Sequence, residues 1–155
     1  MIREIRLNTK MSRMLKALNI SEPFARDSSG TMPSDDFELV NDSLVLRDEY
    51  QKTNADPTDF IDRTGYEAFV NHAHLPYDGS RDSLQSCLSY LTTLQKGLAE
   101  FGRGRSFVLI LSVSDDSCVV RFHQARPGED WVAADLEGYL EEGVLVLSVE
   151  PSGKA

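Results

Sequence analysis

The clearest pattern along the chain is a stripe of apolar residues, spaced three and four apart, between positions 81 and 101. Such a stripe is typical of a helix that packs one side against a core. Ser80 precedes it as a helix cap, Asp82 suits the positive end of the helix, and Gly102 follows as a stop signal. The spacing therefore predicts one long helix over 81–101. Its predicted buried side consists of Leu84, Cys87, Leu88, Leu91, Leu94, Leu98 and Phe101.

Two segments after this helix have the pattern of a β-hairpin. Phe107–Val113 is almost wholly apolar, as in a central strand, and residues 118–126 alternate between apolar and polar side chains. Turn-forming residues at 114–117 separate the two segments. Residues 144–149 are again apolar and predict a last strand, whereas residues 131–141 predict either a short helix or an ordered loop.

Turn signals define the elements before the long helix. Residues 41–43, Asn-Asp-Ser, favour a hairpin between two short apolar pieces, with a helix over 44–52 as the alternative. Asp56 followed by Pro57 marks the start of a short helix. Residues 66–75 alternate in polarity and predict a strand.

The chain is predicted to be a single α+β domain, residues 32–155, with a basic N-terminal extension, residues 1–31, that is flexible or peripheral. We expect a mostly antiparallel sheet of four to six strands with the long helix on one face. In the extension, apolar residues recur at helical spacing and residues 27–31 have the composition of a flexible joint. Three alternatives remain open for it: a segment packed on the domain, an addition before a start at Met32, or a basic helix for targeting or partner binding.

Charge is distributed unevenly along the chain. The formal net charge is −9, and residues 1–20 contain five basic residues and one acidic residue, a balance of +4 that leaves −13 for the rest. Such an acidic body attracts basic partners and repels nucleic acid and anionic membranes at long range. We therefore expect a basic protein partner and neither nucleic acid nor a membrane as ligand.

Cysteine usage and hydropathy favour the cytoplasm. Cys87 and Cys118 lie on apolar patterns and not in a metal or redox spacing, as expected for free thiols in a reducing compartment. No apolar run approaches the roughly 18 residues that span a bilayer. The start also lacks the apolar core of a signal peptide.

The sequence contains little that predicts catalysis. A nucleophile needs a base beside it, but Cys118 and His123 are predicted to face opposite sides of one strand, and Cys87 lies on the buried side of the helix. No nucleotide, phosphate or zinc-protease signature occurs, so we predict no catalytic residue and no cofactor. The alternative is an enzyme-like domain that binds a metal or small ligand through His72, His74 and His123.

The most distinctive stretch is residues 126–142, in which a tryptophan and a tyrosine lie among carboxylates. Aromatic anchors are typical of protein-binding hot spots, and acidic neighbours steer a basic partner. We therefore predict a partner-binding surface here, with a tryptophan that only closes the end of the core as the alternative. The predicted surface consists of Arg126, Glu129, Asp130, Trp131, Asp135, Glu137, Tyr139, Glu141 and Glu142.

The run FVLILSV at 107–113, followed from residue 121 by RFHQARPGEDWVAADLEGYLEEGVLVL, resembles small bacterial proteins, some of them of the polymorphic-toxin immunity type. The resemblance covers about residues 60–150. It implies a cytoplasmic α+β protein that binds and blocks one basic toxin domain. Our first hypothesis is thus a non-catalytic binding or inhibitory protein. A structural subunit that oligomerises through its basic N-terminal helix is the further alternative.

Overall fold

The computed structural model describes residues 1–24 and 32–152, and the joint predicted at 27–31 lies outside them. Short 3₁₀ turns occur at Ser34–Asp36, Pro57–Asp59 and Leu136–Gly138. The strands and α-helices of the described residues are, in chain order, β1 (Ile2–Leu7), α1 (Thr9–Ala17), β2 (Phe37–Val40), β3 (Ser43–Leu46), α2 (Arg47–Gln51), α3 (Arg63–Val70), β4 (His72–Leu75), α4 (Arg81–Phe101), β5 (Phe107–Val113), β6 (Cys118–Gln124) and β7 (Gly143–Val149).

The fold is built on an antiparallel sheet of five strands in the order β1-β7-β5-β6-β4. β5 and β6 form the predicted hairpin, and β2 and β3 form a second sheet of two strands. Asn41 and Asp42 make the β2–β3 turn at positive φ, which these two residue types tolerate. The alternative helix over 44–52 is present only in part, as α2, which begins after β3 ends at Leu46. The short helix predicted after Asp56 is a 3₁₀ turn. The α+β class and the antiparallel sheet are confirmed.

The helix α4 packs on one face of the sheet, with the bounds that its apolar stripe predicts. Ser80 caps it, because its hydroxyl accepts a hydrogen bond from the amide of Ser83 at 3.1 Å. The stripe meets leucines of β5 and β7 in the main core, and Leu84, Leu91 and Leu98 are completely buried there. None of the helices in the described ranges combines the length and the apolarity needed to cross a membrane.

The first twenty residues pack on the rest of the domain. β1 is an edge strand that pairs with β7, and Met11 and Leu15 of α1 are buried in the main core. Of the three alternatives for the extension, the described residues fit a segment packed on the domain. The apolar side of α1 packs within its own chain, and oligomerisation through this basic helix stays a prediction.

The strand predicted over 66–75 is wrong in its first half, which is the helix α3. Asp62 caps this helix, because its carboxylate accepts a hydrogen bond from the amide of Gly65 at 2.8 Å. Tyr66 and Val70 lie one helical turn apart and are buried together against β3. Their spacing of four fits both a helix and an alternating strand, which is why the polarity pattern did not separate the two. The second half is β4, paired with β6 as a strand.

Candidate docking surface

Residues 126–142 lie across the face of the sheet that is opposite α4. They form an ordered loop, one of the two predicted alternatives, with a single 3₁₀ turn at Leu136–Gly138. Val132 and Leu136 are buried against β5 and β7 in a small core of their own. The loop is therefore held in place by apolar packing.

One buried asparagine, Asn8, fixes the second half of this loop. Its amide nitrogen donates to the carbonyl oxygens of Glu142 at 2.9 Å and Leu136 at 3.3 Å. Its side-chain oxygen accepts from the backbone amides of Met11 at 2.9 Å and Val144 at 3.0 Å. A single side chain therefore caps α1 and ties the loop to it.

Three of the predicted partner-binding acids are hydrogen-bonded within the protein. Glu129 accepts from the hydroxyl of Thr64 at 2.9 Å. Glu137 accepts from both the amide and the hydroxyl of Thr9 at 2.9 Å. Asp135 caps the 3₁₀ turn by accepting from the amide of Glu137 at 3.0 Å. These carboxylates hold the loop in its conformation.

Arg126 and Tyr139, also predicted to bind a partner, have structural contacts. The guanidinium of Arg126 pairs with the carboxylate of Glu67 on α3 at 2.6 Å, and Glu67 is only 1% exposed. Tyr139 is half-buried, and its hydroxyl accepts from the amide of Ala133 at 2.9 Å. The remaining predicted residues are Asp130, Trp131 and Glu141, which are exposed, and Glu142, which is half-buried.

The basic start of the chain also contacts this loop. Arg6 donates to the carbonyl oxygen of Ala134 at 3.2 Å, and Lys10 donates to that of Glu141 at 3.0 Å. The positive and negative parts of the sequence therefore lie side by side in the fold. These two cations offset part of the negative charge of the loop. The order of residues in the sequence does not reveal this, because the two segments are far apart along the chain.

Trp131 is the exposed centre of the loop. The guanidinium carbon of Arg121, on β6, lies 4.5 Å from the centroid of the indole ring. Arg121 is held in turn by the carbonyl oxygen of Ala68, to which it donates at 3.1 Å. Trp131 is thus stacked on a fixed cation and still 39% exposed. It does not simply close the end of the core.

The exposed surface continues from Trp131 to β4 and α3. Arg121 is paired with His72 across the β4–β6 register, and the ring centroids of His72 and Phe69 are 5.7 Å apart. His72 Nδ1 donates to the carbonyl oxygen of Phe69, whose side chain is 44% exposed. We call Phe69, His72, Arg121 and Trp131 the Trp131 surface.

The structure does not assemble the three-histidine site. His72 and His74 do lie on one side of β4, with ring centroids 5.2 Å apart. His123 is separately buried, and its Nδ1 donates to the carbonyl oxygen of Gln124 at 2.8 Å. Within residues 1–24 and 32–152, no three histidine, cysteine or acidic side chains lie close enough to hold a metal ion.

His123 should make stability depend on pH. Burial lowers the pKa of His123 below that of an exposed imidazole, and its Nε2 is buried without a hydrogen-bond partner in the described structure. The folded state therefore favours the neutral ring. Stability should be full above the unfolded pKa of about 6.5 and fall as the pH drops below it, by at most about 1.4 kcal/mol per pH unit from this group.

Urea unfolding between about pH 7.5 and about pH 5.5 measures this dependence, because ordinary carboxylates titrate mostly below that range. The variant His123→Gln keeps a polar side chain that does not titrate, so it should show a flatter profile. Equal slopes in the wild type and the variant would mean that His123 has the same pKa in the folded and the unfolded protein, and would contradict this prediction.

Residues 6–154 match a protein family described as the Uncharacterized protein PM0498 family. The chain belongs to this family. The PM0498 match includes α1, the last two residues of β1 and all four residues of the Trp131 surface. The comparisons with curated proteins and with solved structures gave no match.

Proposed function

We propose that this PM0498-family chain is a non-catalytic binding protein that docks a basic protein partner on the Trp131 surface. The observation that carries the proposal is that Trp131 is stacked on Arg121 and yet 39% exposed. A large ring already fixed at the surface contributes contact area with little loss of side-chain entropy on binding. Tryptophan is accordingly enriched at the hot spots of protein interfaces.

Charge favours a basic partner for this surface. The chain carries a net charge of −9, and Asp130, directly before Trp131, is exposed. Glu142 acts on Arg121 electrostatically: burial lowers the pKa of Arg121, and the charge of Glu142 opposes that effect. Carboxylates beside a docking surface raise the association rate of a positively charged partner and make that rate depend on salt.

The placement of the chain's nucleophiles supports a non-catalytic role. Cys118 faces α4 in the main core, whereas His123 is five residues further along β6 and so points to the opposite face. Cys87 is buried on α4. The sheet therefore separates Cys118 from the imidazole on its own strand.

We further propose that the partner is a basic toxin domain and that binding takes place in the cytoplasm. This is supported by the resemblance of residues 60–150 to immunity-type proteins. The free thiols of Cys87 and Cys118 also suit a reducing compartment. In this role the chain would inhibit the toxin by covering its basic surface.

Comparative affinity capture from the native cell tests the proposed function. We expect one basic protein to be retained at low salt by the wild type, lost with Trp131→Ala, and released from the wild type as the salt concentration rises. The matched control is Leu39→Ala in the β2–β3 hairpin, because Leu39 is 37% exposed, close to the value of Trp131. A protein that all three baits retain equally, or that salt does not release, would argue against docking on this surface.

A further inference from the structure

Two cysteines meet in the core where α4 passes the start of β6. Cys87 lies in the first third of α4 and Cys118 is the first residue of β6, and both are free and buried. Both side chains belong to the main core cluster, and their thiols influence each other's pKa. Leu75 pairs with Cys118 across the β4–β6 register, and Cys87 Sγ lies 3.9 Å from the carbonyl oxygen of Pro76. Both cysteines therefore lie beside the same end of β4.

A surface pocket of about 390 Å³ has Cys87 in its lining, although Cys87 itself is 0% exposed. Its lining includes the carboxylates of Asp78 and Asp82. Hydrogen bonds from Ser80 and Ser83 lower the pKa of Asp78 to about 2, so that this side chain is ionised at neutral pH. A small neutral or cationic reagent should therefore enter more readily than an anionic one.

The two thiols are not equivalent. The hydrogen bond from Cys118 lowers the pKa of Cys87, although burial opposes this, whereas the same hydrogen bond and burial raise the pKa of Cys118. Cys87 is also the cysteine in the lining of the pocket, so we assign it as the sulfur that reacts as a thiolate, the nucleophilic form of cysteine. Cys118 keeps its proton and lies next to it, where a second thiol can react with the oxidised first one.

We propose that Cys87 and Cys118 form an oxidisable dithiol that a peroxide, entering through this pocket, converts into an intramolecular disulfide. The thiolate of Cys87 attacks a peroxide oxygen and becomes a sulfenic acid, and the hydroxide released takes up the proton that Cys87 had lost and leaves as water. The sulfur of Cys118 then attacks the sulfenic sulfur. The S–S bond forms as the thiol proton and the sulfenic hydroxyl leave as a second water. Two electrons pass from the sulfurs to the peroxide.

Intact-mass analysis of the full chain tests this directly. After treatment of the reduced protein with hydrogen peroxide, denaturation and N-ethylmaleimide, we expect a monomer that has lost two hydrogen atoms and takes up no maleimide. Maleimide on both cysteines, or a disulfide between two chains, would overturn the proposal.

Two serine variants test the order of the steps. Cys118→Ser should stop at a sulfenic acid on Cys87, which dimedone traps, while Cys87→Ser should leave Cys118 far less reactive. Equal rates of sulfenic acid formation in the two variants, measured as dimedone adduct after peroxide treatment, would overturn the assigned roles.

The entry route is tested with a pair of disulfide reagents on the wild type and Asp82→Asn. Both reagents accept the same two electrons and leave as thiols. The quantity measured is the ratio of the oxidation rate with cationic cystamine to the rate with anionic glutathione disulfide. We expect this ratio to be several-fold higher for the wild type than for Asp82→Asn. An unchanged ratio would overturn entry through this pocket.

Discussion

Replacing Arg126 by methionine is expected to lower the free energy of unfolding by about 3–5 kcal/mol, because it leaves a buried carboxylate without its counter-charge. Glu67 is 1% exposed, and its two oxygens accept from Arg126 at 3.1 and 2.6 Å. Methionine conserves most of the aliphatic volume, so the expected loss is electrostatic. Urea unfolding at neutral pH measures it.

The same ion pair matters for the Trp131 surface. Glu67 lies on α3, which carries Phe69, whereas Arg126 begins the loop that carries Trp131. The pair therefore joins the two halves of the surface. Arg126→Met should consequently weaken partner binding as well as stability, even though Arg126 is mostly covered.

A matched control is Arg3→Met, which removes an ion pair to Glu150 that is mostly exposed. Exposed pairs contribute about 0–1 kcal/mol, so this change should be nearly neutral. Adding Glu67→Gln to Arg126→Met should restore part of the lost stability by removing the unpaired charge. If Arg126→Met cost no more than Arg3→Met, the buried pair would not be the link described here.

Asn8→Ala is expected to lower the free energy of unfolding by at least about 4 kcal/mol. The loss combines a helix cap, about 1 kcal/mol, with buried groups left without partners, about 1–3 kcal/mol each. The groups affected are the amide of Val144 and the carbonyls of Leu136 and Glu142. Urea unfolding gives the loss, and amide exchange over 136–142 should rise with it, since the loop loses its tie to α1.

Ser80→Ala is the control for Asn8→Ala, because it also removes a helix cap but in an exposed position. It should cost only about 1 kcal/mol. Asn8→Asp keeps the capping oxygen and loses the donor to the loop, so it should preserve α1 better than the loop. Equal losses for Asn8→Ala and Ser80→Ala would show that Asn8 acts as a cap alone.

The parts of the fold with a long and regular pattern could be predicted from the sequence. The apolar stripe of α4 extends over five turns, and the β5–β6 hairpin combines an apolar strand with an alternating one. β1 could not be predicted, because it is short and charged and its partner β7 lies at the other end of the chain. In the first half of 66–75 the polarity pattern fits both a strand and a helix, and the local signal that separates them is the helix cap at Asp62.

The candidate surface was predictable only at its centre. Trp131 and Asp130 are exposed, but the roles of Glu129 and Glu137 depend on threonines far away in sequence, which no local pattern indicates. Arg121 was absent from the predicted surface. A signal for it did exist, since Arg121 lies on the side of the alternating strand that is opposite the apolar one.

The affinity of the captured partner for Trp131→Ala tests the central claim most directly. A hot-spot residue contributes about 2 kcal/mol or more, so the dissociation constant should rise about 30-fold, measured by calorimetry at one fixed salt concentration. Leu39→Ala should stay within about twofold of the wild type, as expected outside the interface. Equal affinities for Trp131→Ala and the wild type would place the docking site elsewhere and contradict the function proposed here.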